Sequence, residues 1–557
     1  MDLDTMLKEL GQFGKFQVVY FTLLLFPVLL CGFQSTEYIF TTMNIPHRCR
    51  VPECEDTNGP FQFSPGWLDN AVPLSRDHQP DNCLRYLPRS NGTHGVDPVC
   101  SADLFNLNVT QRCDDWVFVE SARSIAHDFK ILCPEDFWKL TLLGSFSVIT
   151  SFVGLPLVGL ISDRLGRKTV MVYGAVFVSG LGIIRSFSVS YEMLASLEIL
   201  NGLFTCAIFG PAFLLGLETL SPSKRLLGSM LVNMYFAVGE VVLGCFMWFV
   251  QDWRILLRSF YIPMLAVASL HWLLPESVRW LYIRRRFDDV EAIFSKIAKV
   301  NKTEDNLPNV ITDLRAPKSI DKELCGVGQD GEPSKSLRLM VVFKSKVIMW
   351  RLFVCALCWV ASLFTYYGIS QNATYLEGGN RYLSFMLLSL VEVPAYIASL
   401  WIPDWPFFGR RGTNAWSFFI GGIACLALLF IPPGYQWMNL LLFLVAKFTS
   451  TLTITVIYLY TAEVFPTEVR HSLLSTCSMF GRIGSILSQQ IRLVEMFINP
   501  NLVFGVISVI GGLLALTCPE TLGTKLPDTI QEAEAIGSDR SRSSRAAVHP
   551  TDSKQKQ

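Results

Sequence analysis

Eight ionisable side chains lie inside long apolar stretches of this 557-residue chain: Arg185, Glu198, Glu240, Arg258, Glu392, Lys447, Glu463 and Arg482. A charge placed in lipid costs at least about 2.5 kcal/mol on insertion scales, so each is a candidate for function. Glu392 and Arg482 stand out. Glu392 shortly precedes Pro394, which frees a backbone carbonyl and can bend a helix. Arg482 is flanked by Gly481 and Gly484, which let a neighbouring helix come close. Lys447 adds a second positive charge. Trp359 and Tyr366 are seven residues apart and share a helix face, with Tyr367 beside them. An aromatic face attracts an ammonium by roughly 2 kcal/mol or more once water is excluded. Together these residues could capture a small organic ion reversibly, a carboxylate at Arg482 and an ammonium at Glu392 and the ring faces. The competing reading is that Glu392, Lys447 and Arg482 merely neutralise one another. Tyr458 and Tyr460 are weaker candidates. Arg185 and Arg258 lie near the ends of their stretches and are expected to reach the polar interface. Glu198 adds an acid that would favour a cation or carry a proton.

These side chains need long helices to hold them. Charged residues make up 17% of the chain and apolar residues 51%, against roughly 25% charged in an ordinary soluble domain; mean hydropathy is +0.37. The apolar residues run in continuous blocks without the period-2 alternation of barrel strands, so the chain reads as an all-α polytopic membrane protein. Twelve transmembrane helices are predicted, near 16–37, 138–161, 169–188, 191–217, 227–249, 256–275, 348–371, 379–402, 413–431, 437–462, 470–492 and 501–518. The layout is a cytoplasmic N-terminus (1–15), a six-helix half (16–275) with a long insertion at 38–137, a central loop (276–347), a second six-helix half (348–518) and a tail (519–557) disordered from about 537. Within the central loop, Phe287 to Lys299 reads as an amphipathic helix at the membrane surface. Two similar halves place a site between them. No cleavable signal peptide is expected, because the first span is too long and lacks a small-residue cleavage site.

Short loops after spans 2, 4, 8 and 10 carry Arg164, Arg167 and Lys168; Lys224 and Arg225; Arg410 and Arg411; and Arg470, whereas those after spans 3 and 9 carry no Lys or Arg. Basic short loops stay cytoplasmic, so both termini are expected inside and 38–137 outside. That segment holds Cys49, Cys54, Cys83, Cys100, Cys113 and Cys133, read as three disulfides whose pairing the sequence leaves open. Its sequons at Asn91 and Asn108 are the expected glycosylation sites; Asn372 lies too close to the membrane to be favoured, and Asn301 should stay bare. His47 and His78 read as solvated loop residues. No metal-ligand cluster, nucleophile elbow or phosphate-binding Gly-rich loop is found, so no metal, cofactor, enzymatic activity or ATP drive is expected. Zero net charge gives no case for nucleic acid.

Gly159 to Lys168 (GLISDRLGRK) forms the turn between spans 2 and 3. Gly159 and Gly166 allow close approach and a tight turn, and Asp163 can accept hydrogen bonds from a helix N-terminus or an arginine. Such a contact can latch one conformation, with Arg164 and Arg167 beside it. Asp404 with Gly409, Arg410 and Arg411 is a weaker echo in the second half. Glu218 with Lys224 and Arg225, and Glu463 with Arg470, read as further latch groups.

These residues resemble the signature of the major facilitator superfamily, and more closely that of solute carrier family 22, the organic cation, anion and carnitine transporters. The Cys-rich insertion, Phe129 to Cys133, Pro275 to Leu281, Val391 to Ala395, Tyr460 to Arg470 and Pro519 to Gly523 carry the likeness along most of the chain. It implies an alternating-access fold in the plasma membrane and a small organic ion as substrate, with the acid matching Glu392 facing the cavity. Cation-dedicated members tend to carry Asp where this chain has Arg482, and many members carry Arg where it has Glu198. A carnitine-like zwitterion or an organic cation is therefore the expected substrate. An organic anion exchanger and a non-transporting, receptor-like member are the alternatives, and a co-transported Na⁺ or H⁺ stays open.

Overall fold

The structure is a computed structural model that describes residues 3–536 apart from 12, 56–60, 75–79, 90–99, 120–121, 222–223, 316–344, 373–379, 433, 468, 496, 525 and 528. Long apolar blocks can satisfy their backbone amides in lipid only within their own segment, so they form helices. They are α1 (Lys15–Thr41), α2 (Phe137–Leu165), α3 (Arg167–Arg185), α4 (Tyr191–Glu218), α5 (Arg225–Val250), α6 (Trp253–Met264, tightening into a 3₁₀ turn over Leu265–Ser269), α7 (Lys346–Asn372), α8 (Arg381–Leu390 and Glu392–Ala398), α9 (Gly409–Ala427), α10 (Gln436–Val464), α11 (Arg470–Gln489) and α12 (Pro500–Leu516). Ten of these segments are long and apolar enough to cross a membrane. The other two are α11, rich in Ser, Gly and Arg, and the 17-residue α12. The helix break in α8 falls at Val391, where Pro394 removes an amide donor and crowds the carbonyl of Leu390.

The Cys-rich segment folds as two small antiparallel ribbons. β1 (His47–Cys49) pairs with β4 (Trp116–Phe118), and β2 (Leu84–Pro88) pairs with β3 (Phe105–Arg112). Disulfides join Cys49 to Cys113, Cys54 to Cys100 and Cys83 to Cys133. Asn108 is exposed on β3, whereas Asn372 is buried at the end of α7; Asn91 and His78 lie outside the described residues. His47 is not solvated: it is 3% exposed and its Nδ1 lies 2.8 Å from the Ile45 carbonyl. Burial pulls its pKa down, against the opposing pull of the Ile45 and Leu132 backbone. Asp128 ties this segment to the helices, accepting from Trp253 Nε1 at 3.0 Å and Arg254 Nε at 2.8 Å. Burial acts to raise the Asp128 carboxyl, but hydrogen bonds from His127, Arg254 and Trp253 outweigh it and hold the pKa well below the usual range.

At the opposite end lie both ends of the described chain. The helix Phe287–Asn301 forms as expected, but its apolar face of Val290, Ile293, Phe294 and Ile297 packs in one cluster with Leu3, Met6 and Leu7 rather than presenting itself to a membrane surface. Asn301 clasps the chain start, donating to Leu10 O and accepting from Phe16 N, both at 3.0 Å. Arg351 of α7 donates to the carbonyls of Ala533 (2.5 Å) and Ile536 (2.8 Å). The tail from 537 and the loop 316–344 lie outside the described residues.

Within each half, a glycine seats one helix on another. A Cβ at Gly484 of α11 would strike the Val360 carbonyl of α7, and one at Gly239 of α5 would strike the Leu29 carbonyl of α1. The halves meet each other at the Cys-rich end. Arg492 Nη1 donates to Thr42 O at 2.9 Å, Gln490 Nε2 donates to Ser145 Oγ at 2.6 Å, and Phe40 packs edge-on to Phe385 at 4.8 Å. Among the described residues, the hydrogen bonds and ring contacts that cross between the halves all lie at this end or at mid-depth.

Gly484→Ala is expected to lower the melting temperature of the solubilised protein by several degrees, while Gly180→Ala, with open space around it, leaves it unchanged; a thermal-shift assay reads both. Asp128→Asn is expected to remove on the order of 2 kcal/mol of charged hydrogen bonding. Because the folded carboxyl is depressed, this stability is present above the unfolded pKa of about 3.9 and is lost as pH falls below it. The melting-temperature gap between wild type and Asp128→Asn should therefore close on acidification below about pH 4.

Candidate functional site

Three helices of the second half bring a carboxylate, an ammonium and two phenols together at mid-depth. Glu392 begins the second segment of α8, and its Oε1 lies 2.6 Å from Lys447 Nζ on α10. Tyr366 of α7 donates to Glu392 Oε2 at 2.9 Å, and Tyr396, one turn along α8, donates at 3.2 Å. Lys447 Nζ also reaches Ser370 Oγ at 2.6 Å and stands 3.5 Å from the centre of the Tyr366 ring. The Glu392 and Lys447 side chains are 0% and 1% exposed. The ring face predicted to hold a substrate ammonium thus already holds the ammonium of Lys447.

Arg482 is placed differently. It sits half-buried on α11 among Tyr367, Tyr458 and, from α4 of the other half, Cys206. Among the described residues no carboxylate or other hydrogen-bonding partner meets its guanidinium, so it stands outside the Glu392–Lys447 pair. Tyr458 beside it is 47% exposed. Tyr367 links the two groups, its ring 5.1 Å from that of Tyr366. Trp359 lies behind this wall, fully buried, with its Nε1 on Thr461 Oγ1 at 3.0 Å and its ring edge-on to Tyr458. Gly481 faces Trp359 and Leu363, the close approach that its position beside Arg482 suggested.

Glu240 of α5 completes the buried group from the first half. It is 2% exposed, lies beside Glu392 and Ser389, and its Oε2 has no hydrogen-bond partner. In the outer part of the first half, Arg185 does not reach the interface as expected. It is 3% exposed and bridges Glu37 of α1 and Glu198 of α4, the latter at 2.6 Å, while Tyr261 donates to Glu37 at 2.9 Å. Two carboxylates converging on one guanidinium outweigh the pull of the interface. Glu37 closes the predicted first span, whereas α1 continues for another turn to Thr41 and carries Glu37 inside the helix. Arg258 is nearer the expectation, bonded to Ser186 Oγ at 3.0 Å beside the Phe187 ring.

At the end opposite the Cys-rich segment, both halves build the same network. In the first, Gly166 turns at φ +100° and admits the Glu276 carboxylate, which accepts from Lys168 N at 2.9 Å at the start of α3. In the second, Gly409 turns at φ +65° and admits Glu520, which accepts from Arg410 N at 2.8 Å and Arg411 N at 3.1 Å. Arg167 meets Asp163 at 3.2 Å and Glu218 at 3.7 Å; Arg410 meets Asp404 at 2.5 Å and Glu463 at 3.3 Å. Glu218 and Glu463 further accept from Ser277 and Thr521. The expected Glu463–Arg470 pairing is not formed: Arg470 donates to Phe465 O instead. Asp163 does not reach a helix N-terminus, because Glu276 occupies the one beside it. Arg164 is exposed, Arg225 is half-buried at the start of α5, and Gly159 has open space about it. In each network the partners come from one half and the segment that directly follows it. Glu276 and Glu520 were not singled out in the sequence, although the repeated Pro-Glu-Ser/Thr after the sixth and twelfth helices was a signal for them.

Twelve helices in two similar halves, meeting over buried ionisable groups at mid-depth, define a multi-pass membrane transporter of the major facilitator class. Residues 120–530 match the family model described as sugar (and other) transporter. The chain is 30% identical to organic cation/carnitine transporter 2 of Homo sapiens over 95% of this chain and 94% of that one, 30% identical to solute carrier family 22 member 21 of Mus musculus (96% and 94%), and 27% identical to the organic cation transporter protein of Drosophila melanogaster (96% and 95%). In fold it is similar to the xylose transporter XylE from E. coli in a partially occluded inward open conformation, with a TM-score of 0.58 at 12% identity over 90% of this chain and 99% of that one. The chain belongs to solute carrier family 22, a family of transporters rather than enzymes.

Lys447→Met is expected to strand Glu392 and its tyrosine donors, a loss of about 3–5 kcal/mol. Adding Glu392→Gln should recover most of it. Thermal unfolding of the two variants and the wild type reads this cycle, and a double variant no more stable than Lys447→Met would contradict it.

Proposed function

We propose that this protein carries small organic ions across the plasma membrane by alternating access, with carnitine-like zwitterions and organic cations as its substrates. The observation that carries the reading is Arg482, an unpaired guanidinium at mid-depth between the halves, with the exposed Tyr458 and Tyr367 beside it. A substrate carboxylate would neutralise Arg482, and its ammonium would lie on the tyrosine faces, with the carboxyl-rich Glu392 group behind them. In this arrangement Glu392, Lys447 and Tyr366 shape and polarise the wall, and Trp359 holds it in place. The names of two relatives, organic cation/carnitine transporter 2 and organic cation transporter protein, support the same substrate class.

The basic loops set the orientation: the Cys-rich segment outside, glycosylated at Asn108 and Asn91, and both termini in the cytoplasm. Among the described residues, contacts between the halves that lie at the Cys-rich end and mid-depth suit a state closed to the outside. The two capping networks at Glu276 and Glu520 would then keep each half rigid, with Asp163, Arg167, Glu218, Asp404, Arg410 and Glu463 as the groups rearranged when the cytoplasmic end closes. A net cation can be driven by the membrane potential, about 2.3 kcal/mol per charge per 100 mV, whereas a zwitterion needs exchange or a co-transported Na⁺ or H⁺.

The same unpaired guanidinium favours organic anion exchange as the second reading. Uptake of labelled carnitine, tetraethylammonium and an aromatic carboxylate into expressing cells separates the two. Arg482→Asp is expected to reduce carnitine uptake at least tenfold (about 1.4 kcal/mol of lost pairing) and to raise the ratio of tetraethylammonium to carnitine. An unchanged selectivity profile across the three probes would sink the assignment of Arg482.

A further inference from the structure

At the join between the halves, Glu240, Glu392 and Lys447 form a cluster of two acids and one base, while Arg482 stands apart on α11 among Tyr367, Tyr458 and Cys206. Glu240 comes from α5 of the first half and Glu392 from α8 of the second, and the two lie side by side. One ammonium, Lys447, serves both. It is committed to Glu392 at 2.6 Å and is held there by Ser370 and the Tyr366 ring. Glu392 is fully partnered by Lys447, Tyr366 and Tyr396. Glu240 has an orphaned Oε2 and is 2% exposed.

Among the described residues no second cation meets Glu240; the guanidinium of Arg482 stands beside Tyr367. Glu392 and Tyr396 face Glu240 from α8, Lys447 from α10, and Tyr366 and Tyr367 from α7. Helix α1 meets α5 with Leu29 and Phe33 around Gly239; α4 and α6 meet it through Phe209 on Phe236 and Phe260 on Phe246. Two carboxyls against one ammonium in an apolar interior are resolved by keeping a proton on one of them.

We infer that Glu240 and Glu392 form a proton-binding site that opens and closes with the contact between α5 and α8. While the halves touch, the pair shares one proton. When the Cys-rich end opens, α5 and α8 part, water reaches Glu240, and the proton leaves to that side as Glu392 stays with Lys447. One proton is taken up and one released per cycle, with only an O–H bond made and broken. The coupling of that proton to substrate rests on the transport reading above; its presence on the pair does not.

The test has two arms on the full-length protein in lipid. Infrared difference spectra at neutral pH should show a protonated-carboxyl C=O band in the wild type that is absent in Glu240→Gln and present, shifted, in Glu240→Asp. Proteoliposome uptake of labelled carnitine and tetraethylammonium, each measured with and without an imposed pH gradient, should change severalfold with the gradient in wild type and Glu240→Asp, and not in Glu240→Gln. A wild-type spectrum with no band that Glu240→Gln removes overturns the site. A gradient response that survives Glu240→Gln overturns the coupling. Wild-type vesicles that take up neither probe overturn the transport reading instead, and the infrared arm still decides the proton.

Discussion

Lipid offers no partner to a buried charge, so every ionisable group in the membrane region must find one inside the protein. That constraint organises this structure. Glu392 and Lys447 answer each other with tyrosine hydroxyls filling the remaining lone pairs. Arg185 is answered twice, by Glu37 and Glu198. Among the described residues the guanidinium of Arg482 and the Oε2 of Glu240 lack a hydrogen-bond partner, and both lie where one half of the molecule faces the other.

The halves themselves are made rigid by repeated local chemistry. A left-handed glycine opens a space at the helix start, a glutamate two helices or more away fills it and takes the free amides, and an arginine binds the acids around it. The same parts appear in both halves. Close glycine seats between α1 and α5 and between α7 and α11 leave little freedom inside a half. The halves touch through Arg492, Gln490 and the Phe40–Phe385 cluster at the Cys-rich end. Three disulfides close the Cys-rich segment on itself, and the Asp128–Arg254 link holds it against that end.

The amino-acid order by itself determined the twelve helices, the two halves, the family, and the identity of the ionisable groups that lipid would force inward, because hydrophobic length and charge are properties of the chain alone. Pro394 foretold the break in α8, and the glycines around Arg482 foretold the close seat on α7. Only the tertiary structure decided which charge meets which. Pairing depends on angular position around helices distant in sequence, and a helix face is shared with neighbours that no spacing rule names. Hence Lys447 rather than a substrate covers the Tyr366 ring, Glu463 meets Arg410 rather than Arg470, Arg185 turns inward to Glu37 and Glu198, and Glu240 lies against Glu392 across the join between the halves. The disulfide pairing was likewise open in one dimension, since six cysteines in one segment carry no order of pairing until the ribbons bring them together.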